Sequence, residues 1–336
     1  MTASRHICIG TKGTRSGHGI WRYQHRSGSP WGERPPELLV ETPASSFIAF
    51  HPSAERLYAV AEGGDGAVTS FDVGAACALQ PTATVRTGGS APCHLLVHPF
   101  GEWLYVANYA DGVLTAIPLD EAGDVTEDVL TYHHAGSGPH PERQDGPHAH
   151  FAAISENGAW LIVTDLGTDQ LRAYPLDEGH PIDEPVLTDL PPGCGPRHVV
   201  VTPGFVYVSG ELSGEVLTLE WDEEHGRGRV LDQRAAATRP GEHLLSHIER
   251  YQDRLFVGVR GSDSLSTFAI RSDGIPELIG EVATAAWPRH LAVAEGAVLV
   301  AGEEADVLAV HPISDGIAGP VDAELPVPGP MCVLPL

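Results

Sequence analysis

A chain of 336 residues that is 42% apolar, with 38 glycines and 28 prolines, has ample material for a buried core and little for long helices. Its 45 acidic against 20 basic residues give a formal charge of −25, which repels phosphate backbones and anionic lipid, so neither nucleic acid nor a membrane is expected as a partner. No apolar run approaches the roughly 20 residues that span a bilayer, and the first residues lack a basic-then-apolar secretion signal, so a cytoplasmic location is expected.

In chain order, residues 6–43 read as three strands, HICIGTKG, GIWRYQHR and ELLVE, without a first partner. A strand–turn–strand–turn–strand unit then recurs at 47–73, 94–120, 150–177, 198–222, 247–270 and 290–313, clearest in HLLVHPFGEWLYVANYADGVLTAIPLD. Marking the middle of each second strand by Tyr58, Tyr105, Ile162, Tyr207, Phe256 and Leu299 gives intervals of 47, 57, 45, 49 and 43 residues. That is the length of a four-stranded blade with its connections, and it predicts an all-β, seven-bladed propeller over residues 1–336 as one domain. The seventh blade is split. The terminal PMCVLPL is expected to pair beside residues 7–10 and close the ring, because an open propeller would leave bare strand edges. The acidic runs 119–128, 177–185 and 221–224 follow third strands and read as solvated hairpins.

Polar residues collect where the innermost strands begin. His94, His150, His198, His247 and His290 open five of these strands, with Arg197 and Arg289 beside two of them. Second strands end near the same mouth with Tyr109, Asp165, Glu211, Arg260 and Glu303. The segment 133–150, HHAGSGPHPERQDGPHAH, lengthens one interval and is expected to fold over the mouth, delivering His148 and Arg143. The basic residues are almost all arginine, with Lys12 the only lysine, so converging cations are planar forks suited to carboxylates and phosphates. Five scattered cysteines without CxxC spacing argue against a disulfide framework or a thiolate zinc site, and HAH in an extended strand sends its imidazoles to opposite faces, so no metal and no cofactor is expected.

The whole chain resembles the bacterial lactonase family of seven-bladed propellers, which includes cycloisomerase-type 6-phosphogluconolactonases and carboxymuconate-lactonizing enzymes. The resemblance is carried by APCH (91–94), VANYADG (106–112), GSGPHPERQDGPHAH (136–150), DLGTD (165–169), GPRH (195–198), GEL (210–212) and VRGSDS (259–264). It implies a catalytic set of His148, Arg197, Glu211 and Arg260, with Gly210 standing where the family usually has Asn. His94, Tyr109, Arg143, His150, His198 and Arg289 are the expected substrate contacts around it. Lactone hydrolysis needs a base for water and fixed positive charge at the developing oxyanion. The base is His148 or Glu211; the arginines supply the charge and clamp a carboxylate or phosphate. The same set suits a cycloisomerase that adds a carboxylate across an alkene, and a non-catalytic binding propeller is the alternative from another class. A small lactone or carboxylate is the expected ligand. A closed ring has no edges to cover, so a monomer is expected.

Overall fold

The computed structural model describes residues 4–13, 18–182 and 184–336. They form seven antiparallel sheets, the blades of a propeller. Blade 1 contains Ser4–Thr11, Gly19–Arg26 and Glu37–Glu41, with Pro330–Pro335 as its innermost strand; blades 2 to 7 span residues 48–86, 92–133, 149–189, 196–235, 243–283 and 288–326 in turn. Each of the six marker residues named above is the third residue of its second strand. Among the described residues the only helical element is a 3-10 turn, Ala75–Cys77. Blades 4 and 7 depart from four strands: the link before the outermost strand folds back as His180–Pro181 and Ile317–Ala318, each pairing with its third strand. The acidic run 177–185 makes the first of these, its Asp183 lying outside the described residues.

The ring closes as the split blade requires, with Ile7 opposite Pro335, Ile9 opposite Val333 and Gly10 opposite Cys332. The core is distributed rather than central. Seven apolar clusters lie one between each pair of neighbouring blades, such as Ile7, Ile9 and Tyr23 against Leu299, Leu308, Val310 and Leu325. Three of the buried tyrosines add polar staples: Tyr58, Tyr105 and Tyr207 donate their hydroxyls to the carbonyls of Gly123, Gly179 and Gly274, all in hairpins of the following blade. Those glycines have φ near +80° (83°, 80° and 80°), which other residues adopt only at a cost. All five cysteines are buried and unbridged, and burial raises the Cys93 thiol to about 12, which removes it as a nucleophile.

One local device repeats at the start of the innermost strands. Register shifts fall between Pro92 and His94, Ala149 and Phe151, Pro196 and His198, Leu245 and Ile248, and Pro288 and His290, and in the closing pair between Gly10 and Thr11. A bulge turns two successive side chains to one side where strict alternation would send one of them into the blade interface.

Removing residues 330–336 would uncover the buried faces of Ile7 and Ile9 and leave the inner edge of Ser4–Thr11 unpaired. The expected cost exceeds about 5 kcal/mol, against about 0.5 kcal/mol for an ordinary surface change. Differential scanning calorimetry should show the single cooperative transition lost; a melting temperature within a few degrees of the intact chain would refute the closure.

Candidate active site

The mouth of the channel is built by one backbone hydrogen bond made six times. The residue that follows each second strand donates its N–H to the carbonyl just ahead of the innermost strand of the same blade: Lys12 to Gly329 (2.9 Å), Glu62 to Ala44 (3.2 Å), Tyr109 to Ala91 (3.0 Å), Leu166 to His148 (2.9 Å), Glu211 to Gly195 (2.8 Å) and Glu303 to Trp287 (3.1 Å). Ala44, Ala91, Gly195, Trp287 and Gly329 take left-handed φ values of 45° to 57° at this point. Blade 6 places Arg260 at the equivalent position, where its Nη2 donates to Leu245 O (2.9 Å) and its guanidinium lies 5.4 Å from the Trp287 ring.

Glu211 is the hub. Its carboxylate, 2% exposed, accepts from Arg143 Nη2 on Oε1 at 2.6 Å, while Oε2 is ion-paired with Arg260 Nη2 at 2.7 Å and with Arg197 Nε at 3.1 Å, the latter without hydrogen-bond geometry. Burial alone would raise this carboxyl, but Arg260, Arg197, His150 and Arg143 outweigh it and hold Glu211 well below the usual carboxylate range. That removes Glu211 from contention as a base near neutral pH. Burial, then Arg289 and Arg260, push the Arg197 guanidinium down, yet an arginine with a carboxylate at contact distance stays charged.

Arg143 arrives on the connection 133–150, which is pinned from beneath. Gln144, fully buried, donates Nε2 to Leu166 O (2.8 Å) and to Asp169 Oδ1 (2.7 Å), and its Oε1 accepts from His140 N (3.0 Å). Asp169 also accepts from Gly193 N and Gly195 N, so one carboxylate ties the loop bearing Arg143 to the turn bearing Arg197. Arg143 donates in addition to Tyr109 Oη (3.2 Å). The Tyr109 ring stacks on His148 at 4.5 Å and 10°.

His148 is oriented from two sides. Its backbone N donates to Asp165 Oδ1 (2.9 Å), an acceptor shared with Gly167 N and Thr168 N, while Asp165 Oδ2 faces His134 Nδ1 (2.7 Å) and Arg172 Nε (3.4 Å). Its Nδ1 lies 2.7 Å from Tyr109 O. A carbonyl can only accept, so Nδ1 donates to it, and Nε2 is the ring nitrogen left to face the mouth, 3.8 Å from Asp145 Oδ1.

Below this charged layer the channel is filled by rings. His94, His198, His247 and His290 occupy equivalent positions with Phe47 and Phe151: His94 to Phe151 is 3.9 Å, Phe151 to His198 4.3 Å, His247 to His290 4.0 Å and Phe47 to His94 4.4 Å. Burial, first of all causes, lowers the pKa of each imidazole, His247 to about 3, so the plug is neutral at pH 7. Arg197 Nη1 meets His198 Nε2 at 3.0 Å, and arginine only donates. His198 therefore donates from Nδ1 to His247 Nδ1 (2.7 Å), and His247 from Nε2 to Glu249 Oε2 (3.3 Å), a carboxyl that burial raises to about 7.

Of the ten residues expected from the sequence, the structure brings His148, Tyr109, Arg143, Glu211, Arg197 and Arg260 into one contiguous set. His94 and His198 lie one layer deeper, the latter supporting Arg197. His150 is not in the histidine ring: by register Phe151 is the counterpart of His198, and His150 lies level with Arg197. Arg289 belongs to a different carboxylate, Glu303 Oε2, at 4.0 Å. Lys12, Glu62, Gln144 and Asp169 were not anticipated. Among the described residues, no three His, Cys, Asp or Glu side chains are grouped to hold a metal ion, and no helix is long and apolar enough to cross a membrane.

Fold and mouth together describe a propeller whose channel opens on a cation-rich, water-facing cluster, and comparison gives that class its family. Residues 6–335 match the family described as Lactonase, 7-bladed beta-propeller, and the chain belongs to it. It is 28% identical over 317 residues to the 6-phosphogluconolactonase of Bacillus subtilis, covering 89% of each chain, and 28% identical over 277 residues to that of Formosa agariphila, covering 76% of this chain and 78% of the relative. The periplasmic gluconolactonase of Pseudomonas aeruginosa superposes with a TM-score of 0.89 at 25% identity over 99% of each chain.

Glu211→Gln should cost about 3 kcal/mol at neutral pH, because it leaves buried guanidiniums without their counter-charge. The folded carboxyl sits below its unfolded value of ~4.3, so its stabilisation is fully present above that pH and is lost as pH falls through the folded value. Thermal unfolding should show a constant gap between wild type and variant from about pH 8 to about pH 5, and a shrinking one below about pH 4.

Proposed function

We propose that this protein hydrolyses a sugar lactone at the channel mouth, with His148 as the general base and the arginines around Glu211 as the electrostatic clamp. The observation that carries the reading is the orientation of His148, whose Nδ1 is fixed on Tyr109 O and whose ring stacks on Tyr109, the residue that also receives Arg143 of the Glu211 cluster, while its Nε2 faces the exposed Asp145 at 3.8 Å.

In the reaction, His148 Nε2 takes a proton from water as the water oxygen bonds to the lactone carbonyl carbon. The carbonyl oxygen becomes anionic and is met by guanidinium N–H groups already in place, which need no reorganisation as charge develops. The ring C–O bond then breaks, and the imidazolium returns its proton to the departing alkoxide, leaving a hydroxy acid. Glu211 orients the three arginines rather than moving protons, consistent with its low pKa. Tyr109 holds His148 by stacking and by its carbonyl, and links it to Arg143. A monomer that needs no metal and no cofactor, in the cytoplasm, completes the reading. The five unbridged cysteines support a reducing compartment, while the periplasmic neighbour makes location a separate measurement.

The test is hydrolysis of freshly generated 6-phosphogluconolactone and of glucono-1,5-lactone by EDTA-treated protein, followed as acid release over the spontaneous background. The wild type should accelerate at least one of them, and His148→Ala should lower kcat by about 10²–10⁴-fold with an unaltered circular dichroism spectrum. Absence of acceleration on both sinks the sugar-lactone assignment; activity then found on a carboxymuconate would establish the cycloisomerase instead.

A further inference from the structure

The Glu211 cluster has a counterpart two blades further round the ring. In blades 5 and 6, Glu211 after a second strand pairs with Arg197 from the bulge of its own blade and with Arg260, the residue of its own ring position in the next blade. In blades 7 and 1, Glu303 stands in Glu211's position, Arg289 in that of Arg197 and Lys12 in that of Arg260. Lys12 Nζ is paired with Glu303 Oε1, as Arg260 is with Glu211.

The two clusters differ in how deeply their cations are buried and in how closely the arginines approach the carboxylate. Around Glu211 the Arg197 and Arg260 side chains are 3% and 4% exposed and at contact distance. Around Glu303 the Arg289 side chain is 21% exposed and the Lys12 side chain 61% exposed, both open to the mouth. Arg289 Nε stands 4.0 Å from Glu303 Oε2, too far for a hydrogen bond, and that buried oxygen has no hydrogen-bond partner among the described residues. Among the described residues, the planar fork of Arg289 and two of the three ammonium protons of Lys12 therefore remain for an incoming anion. At the mouth the cations Lys12, Arg143, Arg197, Arg260 and Arg289 stand with the carboxylates Glu62, Asp145, Glu211 and Glu303, a local excess of positive charge in a chain of charge −25. A neutral lactone leaves the Arg289 fork and the Lys12 ammonium without an anionic partner, whereas a phosphate monoester, with about two negative charges, meets both.

We infer that Lys12 and Arg289 form a distal anion subsite that takes the phosphate of a phosphorylated sugar lactone while the lactone carbonyl lies against the Glu211 cluster. The inference rests on the function proposed above and names the substrate class of the same site. Lys12 acts as a point charge on the phosphate and Arg289 grips two of its oxygens.

The experiment compares kcat/KM for 6-phosphogluconolactone with that for glucono-1,5-lactone in the wild type, Lys12→Met, Lys12→Arg and Arg289→Met. The ratio should fall at least tenfold in Lys12→Met and Arg289→Met, chiefly through KM, and Lys12→Arg should restore most of it. Inorganic phosphate should compete with the phosphorylated lactone in the wild type and do so at least tenfold more weakly in Lys12→Met. A wild type that hydrolyses both lactones while the ratio in Lys12→Met and Arg289→Met stays within twofold overturns the subsite and leaves the lactonase standing. A wild type that hydrolyses neither overturns the lactonase. The subsite is then decided by thermal shift with inorganic phosphate at fixed ionic strength: stabilisation of the wild type that is absent in Lys12→Met supports it, and equal shifts overturn it.

Discussion

The hydrogen bond from the end of each second strand to the carbonyl ahead of the innermost strand is what the mouth depends on. It fixes the backbone at Lys12, Glu62, Tyr109, Leu166, Glu211 and Glu303 at matched heights, with scatter only from 2.8 to 3.2 Å. The bulge just beyond it lets two consecutive side chains of one strand face the channel. Arg197 can then reach Glu211 while His198 remains in the plug beneath it. Without the bulge one of the two would enter the interface between blades, where a charge has no partner and a methyl group of the neighbouring cluster would be displaced.

The plug solves an electrostatic problem that the charged layer creates. Three guanidiniums converge on one buried carboxylate, and Arg289 adds its field to Arg197 and Arg260. Any further positive charge beneath would push Arg197 away from Glu211. Imidazoles serve because burial keeps them neutral while each still offers a donor and an acceptor. The donor-only chemistry of Arg197 sets His198, His198 sets His247, and His247 ends on Glu249, so one chain of oriented tautomers runs from the mouth into the channel. Histidines at repeated positions are thereby explained as support for the charged layer rather than as a row of catalysts.

The architecture was legible because a blade is a local unit whose apolar periodicity survives divergence: the six markers fall on the same place of the same strand, and the split blade told where the last strand goes. The connection 133–150 stood out by length and polarity, and it does carry Arg143 over the mouth to Glu211. What could not be read were one-residue offsets and long-range satisfaction. HAH in blade 4 looks like PRH in blade 5, but the shift both strands share falls between Ala149 and Phe151 in one and Pro196 and His198 in the other, so His150 matches Arg197 and Phe151 matches His198, a one-residue offset that nothing in the string marks. Gln144 and Asp169 look like ordinary polar residues until the fold buries them against each other and against the turn before Arg197. Lys12 was conspicuous as the only lysine, yet its blade begins in mid-unit, so its ring position had no repeat to be aligned with.

Ring closure and the mouth are therefore one structural problem. Lys12 is held at its ring position by a bond to Gly329 O, the residue directly before the closing strand Pro330–Pro335. Gly329 has φ +50° and donates its own N–H to Asp306 of blade 7 (2.7 Å), so the turn that admits the last strand is anchored in the blade that carries Glu303 and Arg289. The last strand lays Val333 against the cluster shared with blade 7 and Cys332 against that shared with blade 2. Its packing thus decides whether the only lysine faces Glu303 or solvent. The two ends of the chain meet where their junction also completes a charged cluster.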